Sequence, residues 1–325
     1  MPTADTLLNQ ALERCSQEPI QTPGSIQPHG FMLVLDEPSL QILQASENVG
    51  QWLGVTAAEL IGMDFASWVD EHFDLREHLH HLPHGEIFPF HIGDVHLRQG
   101  PGAQQRMTLL VHRHDQVLVA EFKPSLAPGS ARGDFYPLVR SFVSGLQQID
   151  NIGELLQRSV QQVKQITGFG RVKAYRFDAE GNGLVLAEEA DAGYPQYLGL
   201  CFPASDIPPQ ARQLYCNNRI RLIQTADYQP SALFPANNPR TGKPLDMSFA
   251  SLRSVSPVHL QYMRNMGTQA SMPLSIVVGG QLWGLISCHH GQPRPGGFRT
   301  RTNGELPATL LPLHTDSPET NARTH

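Results

Sequence analysis

Four stretches of this chain carry the same constraint: two apolar, β-rich runs joined by a turn of only a few residues. FMLVLDEPSLQILQAS (31–46) turns at Asp-Glu-Pro-Ser, and RMTLLVHRHDQVLVAEFKP (106–124) turns at His-Asp. RVKAYRFDAEGNGLVLAEEA (171–190) turns at Glu-Gly-Asn-Gly, and MPLSIVVGGQLWGLISCHH (272–290) turns at Gly279-Gly280. Strands joined this closely pair antiparallel, so hairpins dominate the fold. Helical signals separate them. GVTAAELIGMDFASWV (54–69) reads as short helices with Thr56 as an N-cap, and Ile152, Leu155, Leu156, Val160, Val163 and Ile166 form one apolar face ended by Gly168. The chain is therefore α+β. The Ser/Gly/Pro-rich SLAPGSARGDFYP (125–137) divides it into two units, as a length of 325 residues also suggests.

Composition narrows the function classes. Hydrophobic residues are 40% of the chain, enough for packed cores, so disorder is excluded. With 24 basic and 30 acidic residues and no dense basic stripe, a nucleic-acid footprint is not expected. No apolar run approaches the ~20 residues of a membrane helix, and the N-terminus lacks the pattern of a secretory signal. Cys15, Cys201, Cys216 and Cys288 are widely spaced and form no CxxC pair, which fits a reducing cytoplasm.

Three motifs stand out. In CFPASDIPPQARQLY (201–215), Asp206 lies between two prolines that restrict the backbone; it either caps the helix begun by Pro208 or Pro209, or contacts a ligand. SLRSVSPVHLQYMRNMG (251–267) gathers Arg253, Ser256, His259, Tyr262 and Arg264, and helical spacing places His259 and Tyr262 on one side. PGSIQPHG (23–30) follows Cys15, a thiol that reacts only if exposed and deprotonated. The adjacent His289 and His290 point to opposite faces of a strand, so they cannot share a pocket. The cluster His72, His78, His80, His81 and His84 reads as a solvated loop, not a metal site. There is no GxSxG, Walker loop, GxGxxG after a strand, or HExxH, so no enzyme activity is expected. Residue spacing alone stops at a polar-aromatic ligand site in the second unit.

Together, Cys15, PGSIQPHG, PASDIPPQAR, SPVHLQYMRNMG and VVGGQLWGLISCHH resemble, in order, the photosensory core of bacteriophytochromes over residues 10–290. The resemblance implies an N-terminal segment (1–15) with the attachment Cys, a PAS domain (16–124), a linker (125–137) and a GAF domain (138–300). It also implies that the N-terminal segment threads a GAF loop to form a knot, an arrangement rare among folds. The implied ligand is biliverdin, a linear tetrapyrrole bound as a thioether to Cys15. Relatives that attach a different bilin through a GAF cysteine carry it where this chain has Val258, which favours biliverdin. The same likeness implies that Asp206 accepts from the pyrrole nitrogens, that His259 lies beside the inner rings, and that His289 bonds the D-ring carbonyl. Tyr175, Phe202, Tyr215 and Tyr262 match aromatic walls. Arg221 and Arg253 match propionate-binding arginines, with Ser256 and Ser271 at further propionate or water contacts. Pro273 replaces a hydroxyl residue of the family.

The function so implied is a red/far-red photoreceptor module that isomerises the bilin's C/D-ring double bond, with an unidentified downstream partner and a homodimer through GAF helices. The alternative is a PAS–GAF small-molecule sensor without light chemistry; an enzyme using Cys15 and a histidine is a third reading, for which no motif suggests a substrate. After His290 the family continues into a helix and a PHY domain. Here Pro293, Pro295, Gly296, Gly297, Pro307 and Pro312 interrupt any long helix. An irregular tail over 301–325 is therefore expected, from a reading-frame change or a natural truncation, and it puts the dimer in question.

Overall fold

The computed structural model describes residues 18–70, 72–81, 89–103, 105–125, 151–278 and 280–294. Cys15, His84, Gly279, most of the expected linker and the expected tail lie outside the described residues. The first unit contains β1 (Ser25–Ile26), β2 (Phe31–Leu35), β3 (Ile42–Ser46), short helices α1 (Gly50–Leu53), α2 (Ala57–Leu60) and α3 (Leu75–His80), then β4 (Phe90–His96), β5 (Arg106–His114) and β6 (Val117–Pro124). The second contains α4 (Ile152–Thr167), β7 (Arg171–Phe177), β8 (Gly183–Ala190), β9 (Cys201–Phe202), α5 (Pro209–Asn217), β10 (Ser231–Phe234), α6 (Pro257–Asn265), β11 (Ala270–Val278) and β12 (Gln281–His290). All four expected hairpins form, each antiparallel.

Local chemistry sets the boundaries. Thr56 and Glu59 close a reciprocal capping box on α2, and Asn151 caps α4, which ends at Gly168 with φ +64°. The β5–β6 turn falls one residue beyond the expected His-Asp. His114 pairs with Val117, leaving Asp115 and Gln116 as a two-residue turn with φ of 51° and 63°. Both central residues must be left-handed in such a turn, and the loop of the second unit holds it: Asn238 Nδ2 donates to Asp115 O at 2.9 Å.

The strand FMLVL is buried throughout, and its two faces have different owners. Phe31, Leu33 and Leu35 join the core of the first unit. Met32 and Val34 pack with Leu233, Leu245, Met247, Ala250 and Leu252 from the second unit. A strand covered on both faces needs no polar alternation. The covering loop contributes a strand of its own. β10 pairs with β1 and β3, giving one sheet of order β1-β10-β3-β2-β6-β5-β4. Four residues that pair only across units leave too short a pattern to read from sequence.

The segment around β1 is hydrogen-bonded to that loop and its flanks. Met247 N donates to Gln21 O (2.8 Å), Gln27 N to Leu252 O (2.7 Å), and Gln27 Nε2 to Leu222 O (3.1 Å). Arg253 Nη1 donates to Ile20 O at 2.5 Å, and Ser256 Oγ to Glu18 at 2.5 Å.

The second sheet runs β11-β12-β7-β8-β9. Leu155, Leu156, Val160 and Val163 of α4 pack on one face against Val172, Ala174, Ile286 and Cys288. Strand alternation then turns Lys173, Tyr175, Ser287 and His289 to the opposite face. Gly284 is required where β12 passes β7: a Cβ there would lie 2.3 Å from the Tyr175 carbonyl oxygen. Gly284→Ala should cost about 1–3 kcal/mol, the usual penalty of overpacking, with the strain falling on the strand that carries Tyr175. Chemical denaturation checks this; unchanged stability would count against the contact.

Candidate functional site

The face opposite α4 opens into a cleft enclosing about 700 Å³ of non-atom space, including solvent at its mouth. That is within the range of small-molecule sites. β7, β9, β12, α6 and the turn before α5 build it. The turn Ala204–Asp206 is a single 3-10 turn set by Pro203, while α5 starts after Pro208 with no side-chain cap. Asp206 is therefore not the helix cap. Its carboxylate instead accepts from Tyr262 Oη at 2.9 Å across the cleft.

α6 begins at Ser256, whose Oγ accepts from Val258 N at 3.2 Å, with Pro257 in its first turn. One turn on, His259 and Tyr262 face the cleft together, with ring centres 6.2 Å apart and planes at 22°. Burial, and then the Arg221 charge, lower the His259 pKa to about 4, so its imidazole is neutral at pH 7. Tyr175, Tyr215 and Tyr262 are all pushed above the ordinary phenol value, with burial the first cause, and keep their hydroxyl protons.

His289 lies on β12 beside Ser287 and Arg171. Arg171 Nη2 approaches His289 Nδ1 at 3.3 Å, and Ser287 Oγ lies 2.9 Å from Nε2. A guanidinium only donates, so Nδ1 is the acceptor and the neutral ring carries its proton on Nε2. Burial and the charges of Lys173 and Arg171 hold the His289 pKa well below the usual value. His290 faces away, as strand geometry requires, and its Nδ1 accepts from Gly170 N at 3.0 Å.

Of the residues expected at the site, Asp206, His259, His289, Tyr175, Phe202, Tyr215, Tyr262 and Ser271 line one cleft, and Pro273 lines it too. Arg221, Arg253 and Ser256 do not. The two arginines lie beside the cleft without lining it, and Arg221 Nη2 donates to the carbonyls of Arg253 (2.5 Å) and Ser254 (2.9 Å). Their Nε atoms are buried without partners, and neither guanidinium pairs with a carboxylate among the described residues. Sequence reasoning missed Lys173, Met263, Met266, Thr268 and Ser287 as lining residues. Two-residue spacing from Tyr175 and His289 would have found Lys173 and Ser287; four-residue spacing from His259 would have found Met263.

An antiparallel sheet completed by a loop strand of the second unit, and an aromatic cleft lined by two neutral histidines, describe a two-domain protein with a small-molecule site. Residues 15–125 match the PAS fold family, and residues 151–306 match the GAF domain family. The chain is 41% identical over 301 residues to a bacteriophytochrome of Xanthomonas campestris, covering 90% of this chain and 45% of that protein. It is 39% identical over 316 residues to cyanobacterial phytochrome B of Nostoc, covering 95% of this chain and 42% of that protein. The chain thus spans less than half the length of these relatives. Among solved structures, the chromophore-binding domain of an unusual R. palustris bacteriophytochrome superposes with a TM-score of 0.85 at 38% identity, covering 94% of this chain and 99% of that one. The chromophore-binding domain of a Stigmatella aurantiaca bacteriophytochrome variant in the Pr state gives 0.85 at 41% identity, with coverage of 94% and 99%. The chain belongs to the phytochrome family and comprises its PAS–GAF photosensory core.

The chromophore class of that family is a linear tetrapyrrole, and the residues fit one. The cleft offers aromatic walls and a few polar groups, and the two arginines offer unpaired buried donors suited to carboxylates. Among the described residues no group of three or more His, Cys, Asp or Glu could hold a metal ion, and no helix is long and apolar enough to cross a membrane.

Proposed function

We propose that this chain is the light-sensing part of a red/far-red photoreceptor, holding biliverdin in the cleft through a thioether to Cys15. The observation that carries the reading is the pair of unneutralised guanidinium groups beside an aromatic cleft. Arg253 is 2% exposed, and its proton affinity falls through burial and then through the Arg221 charge. Two buried cations that feel Glu121 and Asp246 only at longer range, with no carboxylate in direct contact among the described residues, are costly until an anion reaches them, and a ligand with two propionates supplies that charge. Val258, exposed at the start of α6, offers no thiol beside His259, which supports attachment at Cys15.

When bound, the bilin supplies a light-driven isomerisation of its C/D-ring double bond. The chain's own residues hold the two ends differently. Arg221 and Arg253 fix the carboxylate side, with Ser256 tying α6 to the N-terminal segment. His289 offers an Nε2 proton at the other side, where it trades between Ser287 and a ligand carbonyl. Tyr262 and Asp206 form the hydrogen bond that a moving ring would disturb, and α5 and α6 are the elements positioned to transmit the change. No catalytic activity forms part of this reading; a homodimer through helices of the second unit and a downstream partner do.

Mixing the protein with biliverdin and then denaturing it tests the proposal. Covalent red-absorbing colour should survive in the wild type and be lost in Cys15→Ser. A chain that acquires no far-red band overturns the photoreceptor reading and favours a sensor without light chemistry.

A further inference from the structure

Lys173 carries the only ammonium or guanidinium group among the described residues that line the cleft. It is 4% exposed. Among the described residues its direct partners are ring faces: Phe202 at 4.1 Å, Tyr197 at 4.7 Å and Tyr175 at 5.8 Å from Nζ. The charged and titratable groups around it come from every packed element. Arg171 lies two residues away on β7, and Glu188 pairs with Lys173 in register on β8. Asp206 and His259 face it from across the cleft, and His289 from β12. Neither acid hydrogen-bonds the ammonium: Glu188 Oε2 accepts from Tyr197 N (2.7 Å) and Leu198 N (2.9 Å) while its Oε1 is buried without a partner, and Asp206 accepts from Tyr262, so both act on Lys173 only through their charge. Ring faces stabilise an ammonium far less than water does, and a neighbouring guanidinium repels it.

We propose, building on the bilin reading above, that Lys173 and the bound tetrapyrrole cannot both hold a proton, so that loading the cleft drives Lys173 from ammonium to amine. The physical reason is charge in a confined site. A tetrapyrrole protonated on its conjugated nitrogens brings a unit positive charge into a low-dielectric cleft that already holds one. The lysine proton leaves to solvent as the ring nitrogens take one up, so the net proton count of binding depends on Lys173. The resulting neutral amine both accepts and donates, beside Ser287 and the Nε2 proton of His289. Before loading, burial and then the Arg171 charge already lower the Lys173 pKa to about 7, so little further repulsion is needed.

Two measurements test this. In the ligand-free protein, pH-dependent acylation of Lys173 read by mass spectrometry should show half-reactivity near pH 7, not in the ordinary lysine range. On loading with biliverdin, that midpoint should fall by at least two units, a hundredfold loss of proton affinity. Calorimetry of biliverdin binding at pH 6, in buffers of different ionisation enthalpy, should then show Lys173→Met taking up close to one proton more per ligand than the wild type. At pH 9 the two should agree. Lys173→Gln repeats the comparison with a polar side chain, and the red band of each variant reports that the cleft is intact. Equal proton counts at pH 6, or an ordinary lysine midpoint in the free protein, would overturn the proposal. Failure of the wild type to acquire any red band overturns the bilin reading and the competition together, while leaving the lysine's own titration readable.

Discussion

Acidification from pH 7 to pH 5 should bring the ligand-free chain close to unfolding. His112 is 1% exposed, both its ring nitrogens are buried without partners, and burial lowers its pKa to about 3. In the unfolded chain the same imidazole takes a proton near pH 6.5. Its contribution is therefore complete above pH 6.5 and is lost as the pH falls, by about 1.4 kcal/mol per unit until about pH 3. At pH 5 this amounts to about 2 kcal/mol from His112 alone. His29, also near 3, and His259, near 4, act in the same direction with smaller weight because both keep some contact with solvent. His289 adds to them. The opposing term is His114, whose pKa is raised by its 3.0 Å pairing with Asp246; its contribution is present below pH 6.5 and fades as the pH rises through its folded value. Asp246, held near 2, stays ionised across this window. A total of about 4–6 kcal/mol lost by pH 5 is comparable to the whole stability of many domains. Denaturant unfolding at pH 7, 6 and 5 measures it. His112→Leu should flatten the profile by about one proton and gain stability even at pH 7, since it removes two unpaired polar atoms. Equal stability at pH 7 and 5 would contradict the account.

The second large effect is expected at Glu121. This carboxylate is fully buried on β6 and accepts from Leu252 N (2.6 Å), Ser251 N (3.1 Å) and Ser251 Oγ (3.1 Å). It is the bond between the first sheet and the turn that carries Arg253. Glu121→Ala leaves two backbone donors buried without partners and should cost about 3–5 kcal/mol, as when one member of a buried charged network is removed. Glu121→Gln keeps one accepting oxygen and should cost about half as much. The consequence reaches the ligand site: Leu252 O accepts from Gln27 N, and Arg253 O accepts from Arg221, so a loosened turn releases the N-terminal segment and the guanidinium pair together. Thermal unfolding and biliverdin binding should fall in parallel. Lost stability with undiminished binding would show that the turn does not position the arginines.

These two sites mark the limit of what the chain discloses without its folding. The hairpins, the α4 face, the capping of α2, and the division of His289 from His290 all rest on interactions within a few residues, so their periods and turn residues are written locally. The cleft residues of α6 and β12 are legible for the same reason. Asp206 could be read as a cap or a ligand contact because prolines restrict its backbone in either case; only the packing of α6 across from it brings the Tyr262 hydroxyl within 2.9 Å. The partnership of FMLVL with Leu233, Leu245 and Met247, the clamp at Glu121, and the burial of His112 depend on residues more than a hundred positions apart. No periodicity encodes such pairings, because each partner satisfies its own local pattern equally well facing solvent or another chain segment. The sequence alone determined two α+β units with hairpin sheets and, through motif order, their family resemblance. Tertiary structure decided that the second unit completes the first unit's sheet, that Arg221 and Arg253 lie outside the cleft lining, and that Lys173 stands within it. Burial is a property of the assembled fold, and burial is what makes an ordinary lysine or histidine a group with unusual chemistry.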